Sequence, residues 1–216
     1  MARGVEVSEQ GNAKYLSFSK GNFALRVTEQ TTGAVARKLA KGPNEGTLIY
    51  ELLFEKLEGQ IVDISQKVDG MYGPELKIKI DCSYEEVEEV YILSLNFTDI
   101  VATNLMNQLI GYDMSKDVIL RGYRIKREDD ATKFNNLLIA YPADFTGAKP
   151  TKLPRKFDRD STEVPAPNEV LIQGKKVKDY FNVAEFFYTH LVAGVSGVKA
   201  PAVAVAPANE NDDLPF

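Results

Sequence analysis

The chain has 216 residues, of which 44% are apolar, so it is long enough to bury one good core, and its composition fits a single domain. No apolar run approaches the roughly 20 residues of a membrane-spanning helix, and the N-terminus lacks the apolar segment of a signal peptide, so we expect a cytoplasmic protein. One cysteine, Cys82, and one histidine, His190, exclude an internal disulfide and an ordinary zinc site. We therefore expect neither a metal nor a cofactor.

The formal net charge of −5 is unevenly divided along the chain. Residues 41–111 carry 5 basic and 13 acidic side chains, whereas residues 112–159 carry 11 basic and 7 acidic ones. Exposed charges act over about 8 Å, the Debye length at physiological salt. An acidic total is therefore compatible with a basic, phosphate-binding surface within residues 112–159.

Residues 1–46 are predicted to form a hairpin and a loop that pack on the core. Apolar and polar residues alternate between positions 14 and 29, and Lys20, Gly21 and Asn22 supply the turn. Residues 30–46 are rich in Thr, Gly, Lys and Ala, which favours a loop that contains at most a helical turn.

A β-rich core is predicted at residues 47–145. Its first apolar run indicates one long kinked strand or a hairpin, with a break at Gly59 and Gln60, and alternation of period two identifies the next strands. Asp99 is a plausible helix N-cap, and Gly111 lies where a helix C-cap is expected. The predicted elements are strand 47–68, strand 76–82, strand 91–97, a helix over 100–110, and strands near 117–127 and 135–142.

Five strands with one helix between the third and the fourth have the element order of an OB-fold, a small β-barrel. We therefore predict a mainly β protein with an OB-fold core. Residues 146–195 are predicted to form an extended connection and a C-terminal helix over Lys178–Val192, whose aromatic side chains fit a packing stripe. Residues 196–216 are predicted to form a flexible linker and a disordered acidic tail.

The last five residues join two carboxylates to an apolar and aromatic end. A linker offers too few neighbours to bury Leu214 and Phe216, so both side chains are available to a partner. The carboxylates can pair with Arg or Lys around a pocket while Phe216 fills its apolar floor. The predicted partner-binding residues are Asp212, Asp213, Leu214, Pro215 and Phe216.

This ending resembles the acidic C-terminal tip of bacterial single-stranded-DNA-binding proteins. In that family the tip docks onto replication, recombination and repair proteins, so the resemblance implies these partners for the tail. The rest of the chain departs from the bacterial family, because it lacks Trp and its linker is shorter than the usual one rich in Gly, Gln and Pro. It is more similar to the divergent phage-encoded single-stranded-DNA-binding proteins, which pair an OB-fold with an acidic, aromatic-ended tail. The resemblance implies binding and protection of single-stranded DNA without sequence specificity, in the host cytoplasm if the protein is phage-encoded.

A groove of this kind needs cations for the phosphates and aromatic faces for the bases. An OB-fold builds its ligand face from strands two and three with the first and last inter-strand loops. By that mapping the predicted DNA-binding residues are Tyr72 in the first loop, Lys77 and Lys79 on strand two, Arg121, Tyr123, Arg124, Lys126 and Arg127 on strand four, and Lys133 and Phe134 in the last loop.

Several of these residues also fit a structural role. Lys77 and Lys79 fit the solvated face of an ordinary strand, and Tyr123 shares its parity with Ile119 and Ile125, which fits a core position. The cations of 121–127 lie on both faces of one short strand, which favours a binding surface. The basic cluster of residues 152–159 fits either an extension of the DNA path or a solvated connection.

No nucleotide-binding, hydrolase or metalloprotease motif is present, and the acidic run 85–89 fits a solvated surface. We therefore expect no enzymatic activity, and we expect His190 to pack or cap a helix end. Two other functions remain open: a protein-interaction or virion structural protein that never meets DNA, and an OB-type protein that binds RNA.

Overall fold

A computed structural model describes residues 13–39, 44–68, 73–128, 130, 132–145, 150–158, 160–172 and 175–194. Within these ranges the protein is mainly β, with eleven strands and two helices. The strands are β1 (Lys14–Ser19), β2 (Asn22–Val27), β3 (Val35–Lys38), β4 (Leu48–Phe54), β5 (Lys56–Lys67), β6 (Glu75–Asp81), β7 (Val90–Asn96), β8 (Asp117–Lys126), β9 (Phe134–Pro142), β10 (Asn168–Ile172) and β11 (Lys175–Asp179). The helices are α1 (Ile100–Leu109) and α2 (Phe181–Ala193). Neither of these two helices has the length and apolarity that crossing a bilayer requires.

Nine of these strands form one open mixed sheet, in the order β3-β4-β2-β1-β7-β6-β5-β8-β9. All neighbouring strands in it are antiparallel except β1 and β7, which are parallel. The remaining two strands, β10 and β11, pair as a separate hairpin, which the sequence analysis did not predict.

The predicted order of elements within residues 47–145 is confirmed, but the break in the first strand is misplaced. Glu55 alone separates β4 from β5, so residues 48–67 form one long strand with a bend there. Gly59 lies inside β5, where a side chain would collide with the carbonyl of Asp81 on β6. The glycine therefore permits close strand pairing and does not break the strand. Because the sheet is open, the predicted barrel is not confirmed.

The N-terminal hairpin is confirmed, and it belongs to the main sheet. Its two strands lie between β4 and β7. The prediction of a loop over residues 30–46 is wrong at Val35–Lys38, which form β3 and pair with β4. All four residues of β3 are exposed, so this edge strand lacks the half-buried alternation that identified the other strands.

One face of the sheet carries the core. Leu76, Ile78 and Ile80 of β6 are at most 1% exposed, whereas Lys77 and Lys79 point to the opposite face, because successive side chains of a strand alternate. The predicted burial of Tyr91 is confirmed. Helix α1 packs against β9 and β7, and its N-cap residue Asp99 accepts a side-chain hydrogen bond from the Val101 N–H.

Helix α2 and the connection before it are held against α1. The buried Asn107 side chain donates to the Phe157 carbonyl at 2.8 Å and accepts from the Phe157 N–H at 2.9 Å. The Phe157 ring packs against Phe186, Phe187 and His190 of α2, so the predicted packing roles of His190 and of the aromatic stripe are confirmed. The predicted helix start is wrong, because Lys178 and Asp179 belong to β11.

Three distant parts of the chain meet at a contact between backbones, which we name the glycine junction and define as Gly21, Glu55 and Gly122. Gly21, in the β1–β2 turn, has φ +80° and lies against the backbone of β8, and any side chain on Gly122 would overlap the Gly21 carbonyl. The Gly122 N–H donates to the Glu55 carbonyl at 2.9 Å. The junction thus fixes the hairpin tip and the bend of the long strand against β8.

We predict that Gly122→Ala lowers the free energy of unfolding by about 3 kcal/mol or more, at the upper end of the cost of overpacking, because the clash is with backbone. Gly111→Ala is the control without a clash: Gly111, unlike Gly122, has a positive φ, and an added methyl group there meets no atom within 4 Å. Its expected cost is only that of the left-handed conformation, about 1–2 kcal/mol. Urea unfolding of both variants checks this, and equal losses would contradict the close approach at the junction.

Candidate nucleic-acid interface

Most of the predicted DNA-binding residues lie on the β8–β9 hairpin. The register pairs Val118 with Pro142 and continues to Lys126 and Phe134. The first half of β8 is covered by the core, with Val118 and Leu120 at most 1% exposed, whereas residues 124–126 are all exposed. We name this exposed end of the hairpin, residues 121–126 with 134–137, the ribbon.

One face of the ribbon carries Arg121 and Tyr123. The Arg121 guanidinium lies 5.5 Å from the centre of the Tyr123 ring, and the Tyr123 hydroxyl is 2.8 Å from the hydroxyl of Tyr141. Burial and this hydrogen bond raise the pKa of Tyr141 to about 12. Tyr123 shares a face of β8 with Ile119 and Ile125, as its sequence parity predicted. That face is opposite to the one that carries the buried Leu120, so the expectation that Tyr123 lies in the core is wrong.

The other face of the ribbon carries Arg124, Lys126 and Phe134. The Arg124 guanidinium lies only 3.9 Å from the centre of the Phe134 ring, a close cation–π contact. Phe134 remains 37% exposed, so part of the ring is open to solvent. Within the described ranges, no carboxylate forms an ion pair with Arg121, Arg124 or Lys126. Both faces of the ribbon therefore combine a cation with an aromatic ring.

The loop between β8 and β9 carries less net positive charge than the ribbon. Lys133 forms an ion pair with Asp130 at 3.1 Å, and hydrogen bonds from Thr132 and then from Lys133 lower the pKa of Asp130. The Arg127 N–H donates to the Lys133 carbonyl at 3.0 Å. Tyr72, predicted for the first loop, lies outside the described residues. The loop thus offers less free positive charge than the ribbon.

The two lysines of β6 lie on the outer face of the sheet, opposite to the core. The Lys77 ammonium lies 5.7 Å from the centre of the Tyr15 ring on β1, and that ring is 46% exposed. Ser17 lies on the same face of β1 as Tyr15 and pairs with Ala24 of β2. Arg26, two residues after Ala24, therefore lies on the outer face as well. The sequence analysis missed Tyr15 and Arg26, although outward alternation against the buried Leu16 is a signal for Tyr15.

The ribbon and the β6 lysines are two separate groups. Arg121 pairs with Lys56 at the start of β5, whereas Lys79 pairs with Asp63 of the same strand. Lys56 and Asp63 are seven positions apart, which corresponds to about 23 Å of extended chain. The structure therefore brings the predicted residues together in two clusters, and a ligand that contacts both must be an extended one.

Lys152, Arg155 and Lys156 of the basic cluster lie along the connection that precedes α2, and Arg159 lies outside the described residues. Lys152 and Arg155 border a cavity of about 370 Å³ between α1 and β9. Asp158 lines the same cavity, so its walls carry both signs of charge. This arrangement leaves open both interpretations of the cluster, an extension of the DNA path and a solvated connection.

Two other features that the sequence singled out have structural surroundings of their own. In the acidic run, Glu89 accepts hydrogen bonds from Lys14 and Tyr91, and the Lys14 bond is the main cause of its lowered pKa. Within the ranges that the structure describes, no group of three or more His, Cys, Asp or Glu side chains is placed to hold a metal ion. The tail residues Asp212–Phe216 lie outside those ranges.

We predict that Tyr123→Phe and Tyr141→Phe each lower the free energy of unfolding by about 1 kcal/mol, the net contribution of one hydrogen bond. Because both substitutions remove the same bond, the double variant is expected to lose little more than either single variant. Chemical denaturation of the four proteins measures this coupling. Strictly additive losses would show that the two hydroxyls do not stabilise each other.

Comparisons with protein-family models, with curated proteins and with solved structures found no match to this chain. The function is therefore inferred from the geometry of the ribbon and of the outer face of the sheet.

Proposed function

We propose that the protein binds single-stranded DNA without sequence specificity and recruits partner proteins through its acidic C-terminal tail. The observation that carries the proposal is the ribbon, on which Arg121 accompanies Tyr123 and Arg124 accompanies Phe134. Guanidinium groups bind phosphates, and exposed aromatic rings stack on bases of any sequence. Protection of DNA during replication, recombination and repair is the role proposed for this binding.

The strand connections support a modified OB-type barrel. The sequence from β4 to β9 has the OB order of strands and helix, but β7 takes β1 as its second neighbour. From β1 the pairing continues through β2 to β4, and β4 is joined to β5 through Glu55. The pairing thus runs from β5 through β6, β7, β1 and β2 to β4, which forms one long strand with β5. The N-terminal hairpin therefore lies between β7 and β4.

The outer face of β6 supports a second contact for the same strand of DNA. Lys77 and Lys79 project there beside the half-exposed Tyr15. A flexible polynucleotide can follow both clusters, whereas a rigid duplex has no such freedom to bend between them. We therefore propose that single strands bind more tightly than duplexes.

The tail proposal depends on the charges and on the aromatic residue of the last five positions. Asp212 and Asp213 offer anions beside the apolar Leu214 and Phe216. A partner that binds this segment needs basic side chains around an apolar pocket. Replication, recombination and repair proteins are the proposed partners.

We predict that a labelled dT oligonucleotide binds the protein, that salt weakens the binding, and that duplex DNA of the same length binds far more weakly. Phe134→Leu is expected to weaken dT binding by about 5- to 150-fold, the loss of one stacked base at roughly 1–3 kcal/mol. Fluorescence anisotropy titrations at low and moderate salt measure both effects.

Phe145→Leu is the matched control for Phe134→Leu. Phe145 is 38% exposed, almost the same as Phe134, but it follows the other end of β9. Its substitution is expected to leave affinity unchanged. Absence of dT binding at low salt would overturn the proposal in favour of a protein-interaction or virion structural role, and tighter binding of a matched RNA strand would favour an RNA-binding function.

We also predict that deletion of residues 208–216 tightens dT binding modestly at low salt. The deletion removes the acidic side chains of Glu210, Asp212 and Asp213, and these anions compete with phosphates for the same cations. High salt screens this competition, so the difference should disappear there. Titrations of the full chain and of the deletion variant at two salt concentrations check this, and equal affinity at low salt would contradict it.

A further inference from the structure

Two cavities meet at the turn between β1 and β2, and one of them borders the predicted residues Arg121, Tyr123 and Arg124. One cavity, of about 490 Å³, lies between that turn and β3 and β4. The other, of about 280 Å³, lies between the turn and β8, directly above the glycine junction. Both are lined by Lys20 and Asn22. The two cavities therefore adjoin at the turn, and we name them together the turn groove.

The turn groove carries more positive than negative charge. Its basic lining residues outnumber its acidic ones by five to two. The basic residues are Lys20, Arg37, Lys38, Arg121 and Arg124, and the acidic residues are Glu51 and Glu55.

Glu51 is already neutralised by a partner. Its side chain is 8% exposed and accepts two hydrogen bonds from Arg37, at 2.5 and 2.7 Å, and these bonds raise the pKa of the Arg37 guanidinium. Arg37 is held by this pair, so it shapes the groove wall and does not act as a free cation. Lys20 and Lys38 are exposed, and neither forms an ion pair with a described carboxylate.

The groove has the length of several nucleotides and joins the ribbon. Lys38 pairs with Leu48 at the start of β4, and Glu55 of the junction follows β4. Leu48 and Glu55 are seven positions apart, which corresponds to about 23 Å of extended chain. Between its two ends lie Val35 and Leu53, both large apolar side chains that are about half exposed, so the groove offers apolar surface for bases between its cations.

We propose that the DNA path continues from the ribbon over the β1–β2 turn into the turn groove, where Lys20 and Lys38 bind phosphates. This inference rests on the proposed function and extends its binding site to elements outside the five OB strands. A polyanion fits the groove because three of its lining cations, Lys20, Lys38 and Arg124, form no ion pair with a described carboxylate. An uncharged ligand would leave these cations without partners.

The test compares two lengths of dT with the full-length protein. A strand of about 16 nucleotides, the upper end of OB-fold site sizes, reaches the groove, whereas one of about 6 nucleotides covers the ribbon alone. The double variant Lys20→Gln with Lys38→Gln is expected to reduce the slope of log K against log salt by about 1.4 for the long strand, about 0.7 for each lost phosphate contact. Binding of the short strand should not change.

Two further variants make the comparison specific. Lys20→Arg with Lys38→Arg keeps both charges and is expected to restore the slope. Lys116→Gln with Lys175→Gln removes the same charge at exposed lysines that line neither cavity, and it should change neither affinity nor slope. Thermal unfolding of each variant confirms that it is folded before the titrations are compared.

The outcomes separate this inference from the function on which it rests. If the wild-type protein binds both lengths and the Lys20/Lys38 double Gln variant matches it on both, the path does not enter the turn groove, and the proposed function stands. An equal loss on both lengths also overturns the extension, since the groove would then not be a separate part of the site. If the wild-type protein binds neither length, the proposed function itself fails.

Discussion

The contact between the Gly21 and Gly122 backbones decides how the rest of the molecule is arranged. It brings the tip of the N-terminal hairpin onto the middle of β8, and the Gly122 N–H at the same point holds the bend of the long strand through the Glu55 carbonyl. Only residues without a Cβ allow two backbones to approach so closely. Because the hairpin is fixed there, β1 lies beside β7 and β2 beside β4, and the exposed end of β8 projects past the core as the ribbon.

In the same arrangement, one part of β8 is buried in the core and another part forms the proposed binding surface. Val118 and Leu120 of β8 are buried in the core, and a few residues later Arg124, Ile125 and Lys126 are exposed. A strand anchored at one end holds its other end in a defined direction, so the cations and rings of the ribbon are presented without a mobile loop. Both the ribbon and the turn groove lie next to the junction, so this close backbone contact supports both proposed binding surfaces.

The sequence predicted the strands and turns that follow from alternation and turn residues. It did not predict the contacts between segments that are distant in the sequence. The N-terminal hairpin, the helix capped by Asp99 and the strands of β6 to β9 follow from local patterns. The exposed strand β3 and the β10–β11 hairpin do not, because their residues lack a buried face. The charge density of residues 121–127 predicted a basic cluster, and the structure places Arg121, Arg124 and Lys126 at one exposed hairpin end; that they bind DNA stays a prediction. Lys20 was recognised only as a turn residue, because its position near β8 depends on pairing partners about 100 residues away.

The parallel pairing of β1 with β7 determines when the protein can fold as it is synthesised. β1 ends at Ser19, but its partner strand ends at Asn96 and the junction glycine of β8 is residue 122. The hairpin therefore leaves the ribosome long before its sheet neighbour β7, and before β8, which it contacts at the glycine junction, have been synthesised. Pairings between such distant residues form slowly, and unpaired strand edges are prone to aggregate while they wait. For the nascent chain, the period between the emergence of residue 27 and that of residue 122 is accordingly the one in which protection by chaperones matters most.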